Sequence, residues 1–294
     1  MAQGVMTGTG TETDPYLIED CYDFLTMNDT TTYGGGNYFK LVENIDFNEH
    51  ETYRFGFDDV TVVNRAVNLD GNNKTIYNII LKNYTTKSWA IFGGTNLLKD
   101  CNIANLIMIN CEVTGTYGWM LVSMQNCNIG VSLHNSTTTQ LFGGISMTDC
   151  TVNIKGFVPN YITLHNTGIY ERCHINVDIL ATIGSNKYVI YMMGKQFNNS
   201  RITGRVKNVG NSGLGGFIYT GGNIDNSYIA LEYEGGVCTT DICYNTLTVS
   251  TCFFIDKDLL GNLTLSGSET NTHLLTTEQC KDISYLQEIG FLAF

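Results

Sequence analysis

Apolar residues recur at every second position in short segments of this chain, and from residue 100 onward the segments repeat roughly once every two dozen residues. Each copy has a polar residue, then Cys or Ser, then an apolar residue two places later. The copies are Asp100-Cys101-Asn102-Ile103, Asn126-Cys127-Asn128-Ile129, Asp149-Cys150-Thr151-Val152, Arg172-Cys173-His174-Ile175, Asn199-Ser200-Arg201-Ile202, Asn226-Ser227-Tyr228-Ile229 and Thr251-Cys252-Phe253-Phe254. Their Cys or Ser positions are 26, 23, 23, 27, 27 and 25 residues apart. This period predicts β-strands in the coils of a solenoid.

A second apolar run precedes each copy. The runs are residues 89–92, 119–122, 141–142, 161–164, 188–192, 216–219 and 242–244. Gly, Asn, Asp and Ser separate these short segments, and no helical pattern alternates with them, which excludes a doubly wound α/β sheet. We therefore predict an all-β, single-domain parallel β-helix whose coils stack at about 4.8 Å.

The ten cysteines are best explained by this repeat. Residues at one position of successive coils lie above one another, so we expect Cys101, Cys127, Cys150 and Cys173 to form a ladder that points into the core. Cysteines at apolar strand positions along 294 residues favour buried free thiols over a disulfide scaffold. Zinc binding is not predicted, because the closest pair, Cys238 and Cys243, lacks a second pair of ligands.

Composition and charge exclude several partners. The formal charge is -12, and no cluster of Lys and Arg is present, which argues against nucleic acid and anionic membrane surfaces. No run reaches the roughly 20 apolar residues of a membrane span. The start, Met1-Ala2-Gln3-Gly4, lacks the basic and apolar regions of a secretory signal, so we expect synthesis and retention in a cytoplasm.

The first hundred residues contain three phrases that resemble a known family. Residues 8–18 resemble the opening of many bacterial and phage β-helices, in which an amphipathic segment, here residues 18–27, then covers the open end. Residues 37–47 look like the second coil, and residues 69–76 resemble a strand-turn-strand phrase whose Gly and Asn residues allow positive φ. The resemblance is to right-handed, pectate-lyase-like parallel β-helix proteins of the bacteriophage tail or virion type. That fold carries lyases, hydrolases, adhesins and phage tail proteins alike.

The domain organisation follows from these patterns. We expect an N-terminal cap and first coil in residues 1–36, β-helix coils in residues 37–267, and a C-terminal helix with an apolar tail in residues 268–294. Thr276 and Gln279 form a potential capping box, and an apolar helix face follows before Gly290. The face consists of Cys280, Ile283, Leu286 and Ile289. The last residues, 291–294, are either part of the cap that a solenoid end requires or a segment that docks into a neighbour.

Catalytic side chains are not predicted. β-Helix polysaccharide enzymes gather carboxylates on adjacent coils, with Ca²⁺ or a basic residue. The candidate pairs are Asp58 with Asp59, Glu232 with Glu234, and Asp256 with Asp258, each within one coil and without a Lys or Arg expected at the matching place one coil away. We interpret them as surface charge. The five histidines, His50, His134, His165, His174 and His273, fall at different positions of the repeat. We interpret the Gly-Gly pairs as corner residues rather than phosphate-binding loops. No cofactor or metal site is predicted.

The function that these observations favour is that of a non-enzymatic structural or adhesive protein of a bacteriophage particle, in its tail, fibre or capsid decoration. Expected partners are other virion proteins through the C-terminal segment and host surface glycan, and the expected location is the virion, assembled in the host cytoplasm. Aromatic residues between the inward positions favour a homo-oligomer, a trimer before a dimer. They include Tyr117, Tyr161, Tyr188, Tyr228 and Phe253. The alternatives are a carbohydrate-active enzyme, such as a phage depolymerase, lyase or hydrolase, and a bacterial surface adhesin.

Overall fold

The computed structural model describes most of the chain and is built from parallel β-strands with very little helix. The described residues are 5–29, 31–33, 36–58, 63, 67–83, 91–92, 102–115, 123–134, 139–142, 146–158, 162–164, 168–182, 188–192, 196–209, 216–220, 222–234, 243–244, 248–250, 253–254, 268–269, 274–276, 278–279 and 282–288.

Three parallel sheets contain these strands. Sheet A has 11 strands: β1 (Tyr16–Ile18), β2 (Tyr38–Leu41), β5 (Asn68–Asp70), β8 (Asn102–Ala104), β10 (Ser123–Gln125), β13 (Ser146–Thr148), β16 (Ile169–Glu171), β19 (Gln196–Asn198), β22 (Asn223–Asp225), β25 (Thr248–Ser250) and β27 (Ser268–Glu269). Sheet B has 12: β3 (Ile45–Asp46), β4 (Phe57–Asp58), β6 (Thr75–Tyr77), β7 (Ile80–Asn83), β9 (Ile107–Gly115), β11 (Asn128–His134), β14 (Thr151–Val158), β17 (His174–Ala181), β20 (Arg201–Asn208), β23 (Tyr228–Glu234), β26 (Phe253–Phe254) and β28 (Leu274–Leu275). Sheet C has five: β12 (Thr139–Phe142), β15 (Ile162–Leu164), β18 (Tyr188–Met192), β21 (Gly216–Thr220) and β24 (Cys243–Tyr244).

The chain visits the sheets in a fixed order. In the described residues, five successive coils have a strand in sheet A, then one in sheet B, then one in sheet C, from β10–β12 to β22–β24. Every pairing is parallel, and β17 and β20 align over eight residues from His174↔Arg201 to Ala181↔Asn208. The prediction of a single-domain, all-β parallel solenoid is confirmed. The five strands of sheet C fall on the apolar runs that precede the repeated phrase. The right hand of the winding stays a prediction.

Inward positions form continuous apolar rows between the sheets. One row of sheet B consists of Ile129, Val152, Ile175, Ile202 and Ile229, all buried. The matching row of sheet A consists of Met124, Met147, Tyr170, Phe197 and Ile224, also buried. Because each coil places its apolar residues on those of the next, the core is one stack along the solenoid.

The corner between sheets A and B is built from left-handed residues rather than glycine. They are Asn105, Asn126, Asp149, Arg172, Asn199 and Asn226, with φ between 41° and 55°. Asn and Asp tolerate this conformation better than other side chains. The Asn126 amide donates to the Asn105 side-chain oxygen at 2.8 Å, and the Asn226 amide donates to that of Asn199 at 2.7 Å. In the copies that begin at 126, 149, 172, 199 and 226, the opening polar residue therefore makes the corner.

The residues directly after this corner form the ladder that the sequence predicts. Cys127, Cys150 and Cys173 are buried and free, and Ser200 and Ser227 continue the row. The Cys150 thiol donates to the Thr148 carbonyl at 3.2 Å, as the Ser200 hydroxyl does to the Asn198 carbonyl at 2.6 Å. A small donor at this position thus satisfies a carbonyl that the corner leaves inside the core.

The first copy of the repeat is out of register with the rest. Ile107 pairs with Asn128, so Leu106, not Cys101, occupies the position of Cys127. Asn102–Ala104 lies in sheet A beside Ser123–Gln125, and the corner of that coil is Asn105. The expectation that Cys101 belongs to the ladder is wrong. The residues that follow Cys101 in the sequence, Asn102–Ala104, form a strand of sheet A, whereas those that follow Cys127, Cys150 and Cys173 form strands of sheet B. Cys101 and Cys252 themselves lie outside the described residues.

The N-terminal segment contains the first strand of sheet A and a short helix. Helix α1 (Cys21–Thr26) begins after Asp20, whose carboxylate accepts from the backbone N–H of Tyr22 at 2.8 Å and Asp23 at 2.9 Å. Its buried Phe24 contacts Phe47 and Phe92, with ring centres 5.8 and 5.7 Å away, so the amphipathic segment closes over the core. Two short 3-10 helices, Phe47–Glu49 and Tyr53–Phe55, follow β3.

The strand-turn-strand phrase is β5, a turn and β6. Its positive φ values belong to Asn72 (49°) and Asn73 (56°). Gly71 is required for another reason, since a Cβ there would lie 2.5 Å from the Leu106 Cα of the next coil.

The C-terminal end contains the capping box that the sequence predicts. The Thr276 backbone N–H donates to Gln279 Oε1 at 2.9 Å, and the Gln279 backbone N–H donates to Thr276 Oγ1 at 3.3 Å. Helix α2 (Ile283–Glu288) follows, and Asp282 accepts from the Tyr285 backbone N–H at 3.1 Å. Cys280 and residues 289–294 lie outside the described residues, so the role of the tail stays a prediction.

Candidate functional site

The outer face of sheet B presents polar groups in rows that run across the coils. The first row consists of Asn128, Thr151, His174, Arg201 and Tyr228, the second of Gly130, Asn153, Asn176 and Thr203, and the third of Ser132, Lys155, Asp178, Arg205 and Glu232. These residues are half-buried or exposed, whereas the residues between them in each strand are largely buried. Because neighbouring strands lie about 4.8 Å apart, the face repeats hydrogen-bonding groups at that spacing.

A chain of hydrogen bonds links the first and second rows. His174 Nε2 lies 2.7 Å from Thr203 Oγ1, the Thr203 hydroxyl donates to Asn176 Oδ1 at 3.2 Å, and the Asn176 amide donates to Asn153 Oδ1 at 3.4 Å. Since Thr203 uses its only hydrogen towards Asn176, it accepts the bond from His174. The hydrogen of His174 is therefore on Nε2, and Nδ1 is an acceptor.

His174 is held neutral. Burial of the ring and, to a smaller extent, the positive charge of Arg201 lower its pKa to about 4. At neutral pH the imidazole therefore offers a lone pair on Nδ1 and carries no charge.

Arg201 lies beside His174 on the next coil and differs from the other arginines of this region. Arg172 forms two hydrogen bonds to Asp149 at 2.7 and 2.8 Å, and Arg205 lies 3.0 Å from Asp178. Within the described part of the chain, the Arg201 guanidinium has no ion pair and no side-chain hydrogen bond. Among the residues that the structure describes, it is an unpaired, half-buried cation on a polar face.

Two carboxylates of this face form ion pairs, Asp178 with Arg205 and Glu234 with Lys207. Glu232 aligns with Arg205 and Glu234 aligns with Lys207 on the preceding coil, and Glu234 forms an ion pair with Lys207. The expectation that no Lys or Arg lies at the matching place one coil away is therefore wrong for Glu232 and Glu234. Lys207 and Glu234 are 27 residues apart, which is the length of one coil, so their charges lie side by side.

Most of the other candidate residues lie wholly or partly outside the described ranges. His134 is exposed and lies 3.7 Å from Glu112. Asp58 ends β4, and its side chain is outside the description, as are those of Cys243, Tyr188 and Phe253. Residues wholly outside it are Asp59, Asp256, Asp258, His165, His273, Cys238, Tyr117 and Tyr161.

His50 has a structural position at the N-terminal cap. Its Nδ1 accepts from the backbone N–H groups of Thr52 at 3.1 Å and Tyr53 at 3.0 Å. The rings of Tyr22 and Tyr53 lie 4.5 and 4.9 Å from its own. Burial lowers its pKa, which keeps Nδ1 free to accept both bonds.

Metal and membrane sites are not seen in the described ranges. There, no three residues among His, Cys, Asp and Glu are close enough to hold a metal ion together. The helices of the same ranges are too short and too polar to cross a membrane.

The sequence reasoning missed the chain of bonds from His174 to Asn153 and the unpaired Arg201. One signal was present: His174 and Arg201 each follow the Cys or Ser of a repeat, which places both in the first row. When the copies of the repeat are aligned on that Cys or Ser, the residues at each aligned position form one row of this face.

Comparisons with known proteins add little to this description. No family model matches the chain, and no curated protein matches it. Among solved structures, the chain is similar to a crystal structure from Bacteroides ovatus described as a "putative immunoglobulin A1 protease", with 12% sequence identity and a TM-score of 0.42. The alignment covers 96% of this chain and 89% of that chain. A likeness at this level says nothing about the activity of this chain, and the site stands on its own geometry.

Proposed function

We propose that this chain is a non-catalytic β-solenoid that binds surface glycan through the outer face of sheet B. The observation that carries the proposal is the first row, in which an outward polar side chain occurs in each of five successive coils. Such groups donate and accept hydrogen bonds with sugar hydroxyls. An extended, periodic face suits an extended, periodic polymer.

The charges of the face support binding without cleavage. Hydrolysis of a glycosidic bond requires two carboxyl groups about 5 to 9.5 Å apart, one of them protonated. On this face Asp178 and Glu234 each form an ion pair with a cation. Each is already engaged with a cation, so neither is free to act as the acid of such a pair.

The test is a glycan-binding and a cleavage assay on the same protein. Purified protein is incubated with arrays of capsular and cell-wall polysaccharide, and reducing ends are followed in parallel. The Asn176→Ala/Thr203→Ala variant is expected to bind about tenfold more weakly, because two hydrogen-bonding groups are lost. The matched control is Ser123→Ala/Ser146→Ala on sheet A. An equal loss in the control contradicts the face, and sustained release of product moves the function to an enzyme.

We further propose that the protein works in a bacteriophage particle, as a tail, fibre or capsid-decorating component. Support comes from the resemblance of residues 8–18, 37–47 and 69–76 to the coils of phage β-helices, and multivalent display on a particle would raise weak affinity per site. The check is the neighbourhood of the gene. Capsid and tail genes on both sides are expected, and genes for a secretion system or surface anchor would favour the adhesin instead.

A further inference from the structure

We propose that Arg201 and His174 form a subsite for a sugar that carries a carboxylate. This inference rests on the proposed function, since it names the class of glycan that the outer face of sheet B recognises.

The first argument is the unpaired charge of Arg201. The chain has 28 acidic residues against 16 Lys and Arg, so a cation without a carboxylate partner is unexpected. Arg205, four residues further on the same outward face, is paired with Asp178 at 3.0 Å. Asp178 is therefore already engaged, and among the described residues the Arg201 guanidinium has no acceptor, so its five N–H donors are available to an outside anion.

The second argument is the set of groups around Arg201. Its register neighbours are His174 on the coil before and Tyr228 on the coil after, neither of them a carboxylate. His174 donates through Nε2 to Thr203, which leaves Nδ1 as an acceptor. The subsite thus has a planar cation for an anion and, one coil away, an acceptor for a hydroxyl.

The pairing of these two groups selects the ligand class. Guanidinium binds carboxylate through two parallel hydrogen bonds, which ammonium cannot do. A sugar acid carries its carboxylate and its hydroxyls on one small ring system, a size that the separation of about 4.8 Å between neighbouring coils matches. Sialic and uronic acids share this chemistry, and a separate pair of probes tests each of them.

Binding of matched ligands tests the subsite. The probes are 3′-sialyllactose against lactose, and a hyaluronan tetrasaccharide against its carboxyl-reduced form, measured by calorimetry on the full chain. At least one acidic probe is expected to bind at least tenfold more tightly than its neutral match. That preference is expected to disappear in Arg201→Gln and to return in part in Arg201→Lys, which restores the charge without the two-pronged geometry.

The matched control is Arg205→Gln, which removes a paired arginine from the same strand and face and is expected to change binding less than about twofold. Raising salt from about 50 to about 500 mM should weaken acidic probes in the wild type and not in Arg201→Gln. Equal losses in the two variants, or equal binding of acidic and neutral probes, would overturn the subsite. If neutral polysaccharides bind while acidic ones have no advantage, the subsite alone fails. If no glycan of any kind binds, the proposed function fails with it.

Discussion

At the scale of single residues, the buried thiols are a test of how the coils are stacked. Ser200 and Ser227 already occupy the row of Cys150, and their hydroxyls bind the same kind of corner carbonyl. We expect Cys150→Ser to unfold near the wild-type urea midpoint. Cys150→Ala is expected to lower the free energy of unfolding by about 1 to 2 kcal/mol, as a small deletion in the core does. Cys150→Asp is expected not to fold, because a buried unpaired charge costs several kcal/mol.

Thiol titration of the native protein checks the burial of the cysteines without mutation. Burial raises the pKa of Cys111 to about 12 and that of Cys21 to about 11, so little reactive thiolate is present at neutral pH. Slow reaction in buffer and fast reaction in denaturant are expected for both. Rapid labelling of native Cys127, Cys150 or Cys173 would show that the ladder does not point inward.

Histidine titration is expected to make stability depend on pH. The pKa of His174 is about 4 in the folded protein against 6.5 for the free side chain, with burial as the main cause. A lowered pKa means that the unfolded chain binds the proton more tightly, so stability is complete above pH 6.5 and falls as the pH drops from 6.5 towards 4. Urea midpoints measured across that range should fall less in His174→Gln, whose amide also donates to Thr203. Parallel curves for the two proteins would contradict this assignment. The lowered pKa of His50 acts in the same direction and remains in both proteins.

At the scale of structural elements, the corner between sheets A and B is the most informative. Asn126 has φ of 51°, and its side chain bonds to Asn105 of the coil before. In Asn126→Ala both the left-handed preference and the hydrogen bond are lost, with an expected cost of about 2 to 3 kcal/mol. Asn126→Gly keeps the conformation and loses only the bond, so about 1 kcal/mol is expected. Equal urea midpoints for the two variants would mean that the left-handed backbone is not the source of the preference.

At the scale of the whole molecule, the open question is assembly. We predict a closed oligomer, a trimer before a dimer, since three solenoids pack side by side around one axis. Light scattering of the purified protein should give a mass near three times 32.6 kDa. A particle of 32.6 kDa at high concentration would contradict the prediction. Removal of residues 291–294 separates the roles proposed for the tail: loss of the oligomer without loss of stability indicates docking, and loss of stability indicates a cap.

The sequence by itself determined the solenoid. Each inward position must be apolar in every coil, so the period, the strands of sheet C, the thiol row from Cys127 to Cys173 and the capping box at Thr276 are all visible as local pattern. Tertiary structure decided what depends on register between coils. Leu106 rather than Cys101 lies under Cys127, Glu234 meets Lys207, and His174 joins Thr203 and Asn176. The physical reason is that coil lengths vary, and hydrogen bonds between coils set which residues are neighbours. Outward positions accept almost any polar residue, so only their alignment in space shows which of them form a site.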